Sequence, residues 1–469
     1  MTQRKPKSIK NAAPVQPAGK KKRGRRRIRP WVKFAGIGLA AVAVIAVIII
    51  IVSGSPSKAP ADSGSNAETL AEAGVSTQET ERAETEETQT ETYLEPEVVS
   101  TITFGSTGDI LIHPSVLNAF DMGSYHDFSG AFKYVAPYYS GLDIMVANLE
   151  VTLVDPEDGY GYSANPFLSP ESVASALKNA GVDICLTANN HTYDSGHYGL
   201  INTLDVLEET GLEYTGTRKS EDRSFILTEE AGGIKLGMIC YTYETGGGEW
   251  YQKSLNYIPV EDEDVNRINT FDYDDLETLY DDAAKQVKAM EDEGCGLKIF
   301  YMHWGEEYQD EPNGLQEEIA QRLSDLGVDV IIGGHPHVVQ KFDVIKGSGG
   351  NETLCLYSMG NELSNQRREF MNEDDYRGYT EDGVVFILTI DKYNTGDVKI
   401  RALDILPTWV EREDSFVIIP LDPVLSPDSW PVSDTYAGIE SYNRTMGRLG
   451  EAYFSFREAH GQEKIAAEQ

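Results

Sequence analysis

The chain has 469 residues, a formal charge of −36 and four cysteines, so it is too long for one ordinary domain and too cysteine-poor for a disulfide-built scaffold. The charge is split. Residues 1–52 hold 13 of the 40 Lys and Arg and no acid, which leaves 27 bases against 76 acids, a formal −49, on residues 53–469. So acidic a body excludes a nucleic-acid binder, which needs a basic surface to displace counterions, and 40% hydrophobic residues exclude disorder throughout.

Residues 1–33 form a basic tail with the runs Lys20-Lys21-Lys22-Arg23 and Arg25-Arg26-Arg27. Phe34 to Val52 follows, an uncharged run of 19 residues. As a helix it spans roughly 28 Å, close to the hydrocarbon thickness of a bilayer. Trp31 suits the interfacial belt, and the cationic side is expected to stay cytoplasmic. An uncleaved, single-pass anchor fits better than a signal peptide, whose apolar region is about 7–15 residues and ends at an Ala-x-Ala site. Residues 53–98 carry 11 acids against Lys58 and Arg82. With almost no apolar periodicity they read as a disordered, extended linker. The body is then expected outside the cell membrane, on a stalk.

From residue 100 strands and helices alternate. Strands are expected at Thr101–Phe104 (ending near Gly108-Asp109), Asp143–Ala147, Val182–Leu186, Ile234–Tyr241, Leu297–Met302 and Val328–Ile332. Helices are expected at Pro170–Ala180, from Asp194 as cap to Thr210, at Asp274–Glu293 and at Leu315–Leu326, with Gly181 and Gly211 as stops. Apolar runs at Val338–Ile345, Thr353–Tyr357, Val384–Ile390 and Val398–Ile405 follow without helices. The pattern predicts an α/β sheet with a β-rich second half over residues 99–409. Residues 410–469 form a partly helical extension, with helical spacing over Ser433–Glu458.

Histidines mark where chemistry gathers. His191, His303, His335 and His337 each follow an apolar strand near its C-terminal end, as do Asp109, Asn148, Glu150 and Asn361. In an open α/β sheet ligands bind outside the carboxyl ends of the strands. In Gly334-His335-Pro336-His337 the glycines allow a tight turn that brings both imidazoles toward one ion. With Asp109, Glu150, Asn190 and His303 they make a mixed N/O donor set suited to Zn, Mn or Fe. A polar cleft that binds an anion without metal is the other reading. Gly246-Gly247-Gly248 lacks the Lys-Ser/Thr of a phosphate loop, and Cys185, Cys240 and Cys355 lie in apolar strands, where a free thiol is inert.

Gly108-Asp109, Asn148-Leu149-Glu150, Asn189-Asn190-His191, His303-Trp304-Gly305, Gly334-His335-Pro336-His337 and Tyr357-Ser358-Met359-Gly360-Asn361 occur in this order. The ordered set resembles the capsule-synthesis CapA family of poly-γ-glutamate biosynthesis, over residues 101 to 363. That family is similar in turn to the calcineurin-like metallophosphatases. The resemblance implies a layered α/β/α sandwich of mixed sheets and a divalent metal site. Asp109, Glu150, Asn190, His303, His335 and His337 are its implied ligands. His191, with Asp109, is implied in catalysis, His191 as general acid. Asn148, Asn189, Trp304 and Asn361 are the expected substrate contacts. Capsule-synthase membrane proteins and an anionic envelope polymer are the implied partners.

The sequence departs from the metallophosphatase pattern in three places. Asp109-Ile110-Leu111 lacks the Asp-x-His histidine, with His113 four residues on. Asn148-Leu149-Glu150 replaces Gly-Asp, and Glu362 stands where an aromatic is common. A membrane-anchored protein of capsule or poly-γ-glutamate synthesis, with a metallophosphatase-like site that handles or hydrolyses an anionic envelope substrate, is the first expectation. An inactive accessory that binds polymer or a synthase is the alternative.

Overall fold

In Ile144-Met145-Val146-Ala147 alternate side chains face opposite ways along the strand, yet all four are buried. Ile144 and Val146 join one apolar cluster and Met145 and Ala147 another. A strand buried on both faces needs a layer on each side, and the computed structural model shows what those layers are. It describes residues 95–155, 160, 167–248, 250–367, 379–412 and 416–460, all within one unit, Gln89–Gln469.

The first sheet has eight strands. Its order is Val417–Pro420, Val398–Glu411, Asp382–Tyr393, Val98–Ile110, Ile144–Leu149, Ile184–Leu186 and Glu213–Thr215, with Asn361–Leu363 pairing parallel to the end of Val98–Ile110. The second has seven strands, with Ile234–Tyr243, Leu297–His303, Val330–Gly334 and Glu352–Leu356 side by side and parallel. The sheets stack face to face through Ile102, Phe104, Val146 and Ile184 on one side and Met238, Ile299, Tyr301 and Ile332 on the other. Helices cover the outer faces: Ser172–Ala180 and Gly196–Thr210 on the first sheet, Leu276–Asp292 and Gly314–Asp325 on the second.

The architecture is therefore α/β/β/α, four layers where the sequence led to an expectation of three. Uniformly apolar strands carry no sign of which face meets helices and which meets a second sheet.

Most expected elements stand close to their places, and Gly181 (φ 100°) and Gly211 (φ 73°) close their helices in the left-handed conformation. Asp194 does not cap its helix. Ser195 occupies that position, and the Asp194 carboxylate takes His191 instead. Of the Val338–Ile345 run only the Phe342–Lys346 part is a strand. The linker ends earlier than expected, because Glu97 N donates to Asn394 Oδ1 and Asn394 Nδ2 to Glu95 O, tying the chain from Glu95 onward.

At the other end Val398–Glu411 crosses position 409 and pairs with Val417–Pro420. The Thr435–His460 helix, broken at Gly450, packs back on the body. The basic tail, the Phe34–Val52 span and nearly all of the linker lie outside the described residues. Among the described residues no helix is long and apolar enough to cross a membrane.

Candidate functional site

The parallel strands of both sheets end on the same side of the molecule. Asp109 closes Val98–Ile110, Asn148 and Leu149 close Ile144–Leu149, His303 is the last residue of Leu297–His303, and His335 follows Val330–Gly334. Register places His303 beside Gly334 and Asp109 beside both Asn148 and Asn361. Gly108 permits this crowding, since a Cβ there would sit 2.0 Å from Gly360 O. Gly334 does not make the turn expected of it. His335 (φ 92°) and His337 (φ 57°) themselves adopt the left-handed backbone, which is strained for such residues and characteristic of functional sites.

Three donor groups result, each with atoms within 4.8 Å of one another: Asp109, Glu150 and His337; Glu150, His303 and His335; and Glu307, His335 and His337. The two imidazoles of the His-Pro-His turn thus divide between the two inner groups and come together only in the outer one. Glu150 is common to the inner pair. Its carboxylate is buried, and neither oxygen receives a hydrogen bond. His303 Nε2 stands 3.4 Å and His337 Nε2 3.8 Å from its Oε1.

His337 Nδ1 faces Asp109 Oδ2 (3.0 Å) and Asn361 Oδ1 (3.1 Å), both acceptors, so Nδ1 carries a proton and Nε2 turns inward toward Glu150. His303 Nε2 lies 2.7 Å from Asn190 Oδ1. His335 Nδ1 is buried without a partner, while its Nε2 is 3.2 Å from the Tyr243 hydroxyl.

A buried carboxylate without a donor and an orphaned imidazole nitrogen are costly unless a cation satisfies them. The donor chemistry fits a divalent metal taking mixed N and O ligands. Burial weighs against charge on Asp109, but the hydrogen bond and charge of His337, the charge of His303 and the bond from Asn148 outweigh it and hold the carboxyl below its usual range. Burial, with the charges of His303 and His337, keeps His335 neutral well below the usual imidazole range, which suits a ligand.

The expected substrate contacts hydrogen-bond within the protein around the donors. Asn148 Nδ2 donates to Asp109 Oδ1 (2.7 Å) and Asn189 Nδ2 to Asn148 Oδ1 (3.2 Å) and Leu149 O (2.9 Å). Asn361 holds His337 and gives its amide hydrogens to His337 O, Gln366 Oε1 and Thr380 O. Trp304 is wholly enclosed, with its indole N–H on Tyr357 O at 3.0 Å. Their polar groups are taken by protein, so they orient the donors.

His191 stays at the edge, with Nδ1 2.8 Å from the Asp194 carboxylate. His113 joins none of the three groups; Asn365 N donates to its Nδ1 at 3.3 Å. Burial first, then the charge of His337, holds its pKa down to about 3. Burial likewise raises the Cys185 and Cys240 thiols to about 12, which excludes them as nucleophiles.

Sequence reasoning missed Glu307, Tyr243 and Asn256, whose amide touches both Asn190 and His191. Tyr243 ends a strand and shared the signal that found the histidines. Glu307 and Asn256 sit in connections without periodicity, and nothing local marks them.

Such a site, at the joined strand ends of two stacked sheets, gives a protein of mixed α/β class whose buried donor groups are compatible with a metal ion. Residues 103–366 match the family described as bacterial capsule synthesis protein PGA_cap, and the chain belongs to that family. The capsule biosynthesis protein CapA of Bacillus anthracis is 30% identical over 246 residues, 50% of this chain and 54% of that one. The PGA biosynthesis protein CapA of Bacillus subtilis (strain 168) is 25% identical over 281 residues, 58% of this chain and 64% of that one. The match thus spans between about half and two thirds of these relatives' lengths.

Among solved structures, the TT1561 protein of Thermus thermophilus is similar at a TM-score of 0.31 and 11% identity, covering 61% of this chain and 94% of that one. Purple acid phosphatase PPD1 from yellow lupin seeds is similar at 0.26 and 12%, covering 62% and 56%. Likeness at this level does not extend to chemistry.

Proposed function

We propose that the protein is a membrane-anchored, extracytoplasmic component of capsule or poly-γ-glutamate synthesis or export, with a metal-dependent site that hydrolyses phosphoester or related bonds in an anionic envelope substrate. The carrying observation is Glu150, a buried carboxylate shared by two donor groups and left without a hydrogen-bond donor. Asp109, Glu150 and His337 would hold one divalent ion, and Glu150, Asn190, His303 and His335 a second; Mn, Zn or Fe suits the set. Bound there, such ions supply Lewis acidity and an acidified water.

The chain's own residues do the rest. Asn148 and Asn361 fix Asp109 and His337. His191, with Nδ1 engaged by Asp194, keeps Nε2 to deliver a proton to a leaving oxygen. The basic tail and the Phe34–Val52 run support an N-terminal anchor with the tail inside and capsule-synthase membrane proteins as partners. The −49 body repels a polyanion, and divalent cations offset that repulsion at the site.

A second reading is an inactive accessory that holds polymer or a synthase partner. It is favoured by the closure of the donors, since Asp109, Glu150, His303, His335 and His337 are all buried. Full-length protein assayed for bound metal, and for cleavage of phosphodiesters and γ-glutamyl peptides with Mn²⁺ or Zn²⁺, separates the two. Stoichiometric metal lost in His335→Ala, with turnover lost in His191→Ala, is the expected result. Protein free of metal at every pH tested sinks the hydrolase reading, and metal without turnover leaves the accessory.

A further inference from the structure

The strands Ser254–Leu255 and Ile258–Pro259 pair antiparallel and are joined by two residues, Asn256 (φ 47°) and Tyr257 (φ 62°). Two consecutive left-handed residues make the mirror-image turn that suits the twist of a hairpin. Asn accepts that backbone easily, whereas Tyr at the second position stands where glycine is favoured. The hairpin does not drift free. Leu255 and Val260 pack with Tyr193 and Leu200, next to the Asn190-His191 turn. Tyr257 N donates to Thr245 Oγ1 at 2.8 Å and Thr245 N to Ser254 O at 2.9 Å.

This anchoring aims one side chain. Asn256 Oδ1 accepts from Asn190 Nδ2 at 3.1 Å, and Asn256 Nδ2 lies 3.2 Å from Nδ1 and 3.5 Å from Nε2 of His191. An asparagine amide has an accepting end and a donating end. Asn190 serves as a metal donor only if its oxygen faces inward. Its oxygen does face His303 Nε2, at 2.7 Å, and its nitrogen is spent on Asn256, its one acceptor among the described residues. A flipped Asn190 amide would turn its N–H groups toward the ion and leave its oxygen against Asn256 Oδ1, acceptor facing acceptor.

We infer that Asn256 is a positioning residue, which fixes the Asn190 amide with its oxygen turned to the metal pocket. The inference rests on the metal-site reading above. It assigns a role to a hairpin that no motif marks, and makes the ligand set depend on a residue 66 positions away in sequence.

The test uses the full-length protein and Co²⁺, whose visible absorption reports the ligand set. Asn256→Gly deletes the side chain while tolerating the left-handed backbone, and Asn256→Asp keeps an acceptor for Asn190 Nδ2. Wild type is expected to bind two Co²⁺. Asn256→Gly should weaken one of them about 10- to 100-fold, as loss of a supporting hydrogen bond does, and Asn256→Asp should restore it.

In an Asn190→Asp background either ligand oxygen serves, so Asn256→Gly should cost nothing further. Wild-type affinity for both ions in Asn256→Gly overturns the assignment while leaving the metal reading intact. So does an equal loss in the Asn190→Asp background, which indicates a merely structural hairpin. Wild type that binds no Co²⁺ overturns the metal reading, and this assignment with it.

Discussion

Asp109 and His337 join the two sheets at their carboxyl ends: His337 Nδ1 donates to Asp109 Oδ2 over 3.0 Å, and both side chains are buried. Burial opposes charge on each. For His337 the charge of Glu150 and the bond and charge of Asp109 outweigh it and lift the imidazole to about 9, while the same bond holds Asp109 low. Removing one partner of a buried pair leaves the other charged and unpaired, which costs about 3–5 kcal/mol. Asp109→Ala and His337→Ala should therefore each lower stability by that order in metal-free protein at neutral pH. The double variant should lose far less than the two losses added. Urea unfolding checks this, and a loss under about 1 kcal/mol for Asp109→Ala contradicts it.

The space for the Asp109 carboxylate is made by Gly334. A Cβ there would stand 2.8 Å from Asp109 Oδ1, 3.6 Å from His303 Nδ1 and 3.7 Å from Asn148 Nδ2. Gly334→Ala should displace the carboxylate, not break the fold. A stability loss of about 1–3 kcal/mol fits such overpacking. Metal affinity should fall about 10- to 100-fold, the usual effect of disturbed ligand support. Calorimetric titration with Zn²⁺ measures it, and unchanged affinity counts against Asp109 as a ligand.

Glu362 offers a pH signature away from the donor groups. Its carboxyl lies in the first sheet, receiving hydrogen bonds from the hydroxyls of Thr107, Tyr139 and Thr408. Burial raises its pKa to about 7, against the opposing effect of those three bonds. A raised carboxyl binds its proton more tightly in the fold than in the unfolded chain, so its stabilisation is present below about pH 4.5 and is lost as pH rises through 7. At 1.36 kcal/mol per unit the loss is of the order of 3 kcal/mol. Glu362→Gln should flatten that decline, becoming less destabilised, or more stable, relative to wild type at pH 8 than at pH 5. Parallel urea curves at the two pH values for both proteins exclude the shift.

The strand-end rule located the site because it rests on topology: parallel strands must deliver their ends to one side, and the polar residues there stood out against apolar runs. Asp109, Glu150, His303, His335 and His337 were legible for that reason, and Asn190 through the ordered motifs. The second sheet as a stacked layer was not, since Ile144 and Met145 look alike in sequence while facing different clusters. Nor were the inward turns of Asn148, Asn189 and Asn361, because an amide at a strand end reads the same whether it meets a ligand or an aspartate. Asp194 shows the limit of local rules: a residue placed to cap a helix takes His191 instead, once the fold brings that ring within 2.8 Å. Glu307 and Asn256 come from connections whose conformation depends on contacts distant in sequence.

Glu307 is the exposed member of the outer donor group. Its neighbour Tyr308 takes a left-handed backbone (φ 64°) and donates N–H to Pro336 O at 2.8 Å, which holds this loop against the His-Pro-His turn. Glu307→Gln should change stability by less than about 0.5 kcal/mol, as exposed substitutions do. If the outer group captures a cation at the mouth, its effect falls on the rate of loading: stopped-flow uptake of Zn²⁺ should slow several-fold with the final stoichiometry unchanged. Loss of a whole equivalent of metal would instead make Glu307 a resident ligand.

The C-terminal helix was legible in its spacing, and its apolar face joins the core. Leu449 and Tyr453 are fully buried between the sheets' edges, with Ile405 N donating to the Tyr453 hydroxyl at 3.2 Å. Arg444 forks onto Asp382 at 2.9 and 2.8 Å, and Ser441 Oγ donates to the same carboxylate at 2.6 Å. Arg448 reaches Asp310 at 2.7 Å from a half-open position. Burial and exposure here predict opposite outcomes for residues one position apart. Leu449→Ala should cost about 2–5 kcal/mol through lost transfer energy and a cavity, whereas Arg448→Ala should cost less than about 1 kcal/mol, the usual worth of a partly solvated ion pair. Equal effects in chemical denaturation would mean that the helix is held by its polar contacts and not by the apolar face that closes the core.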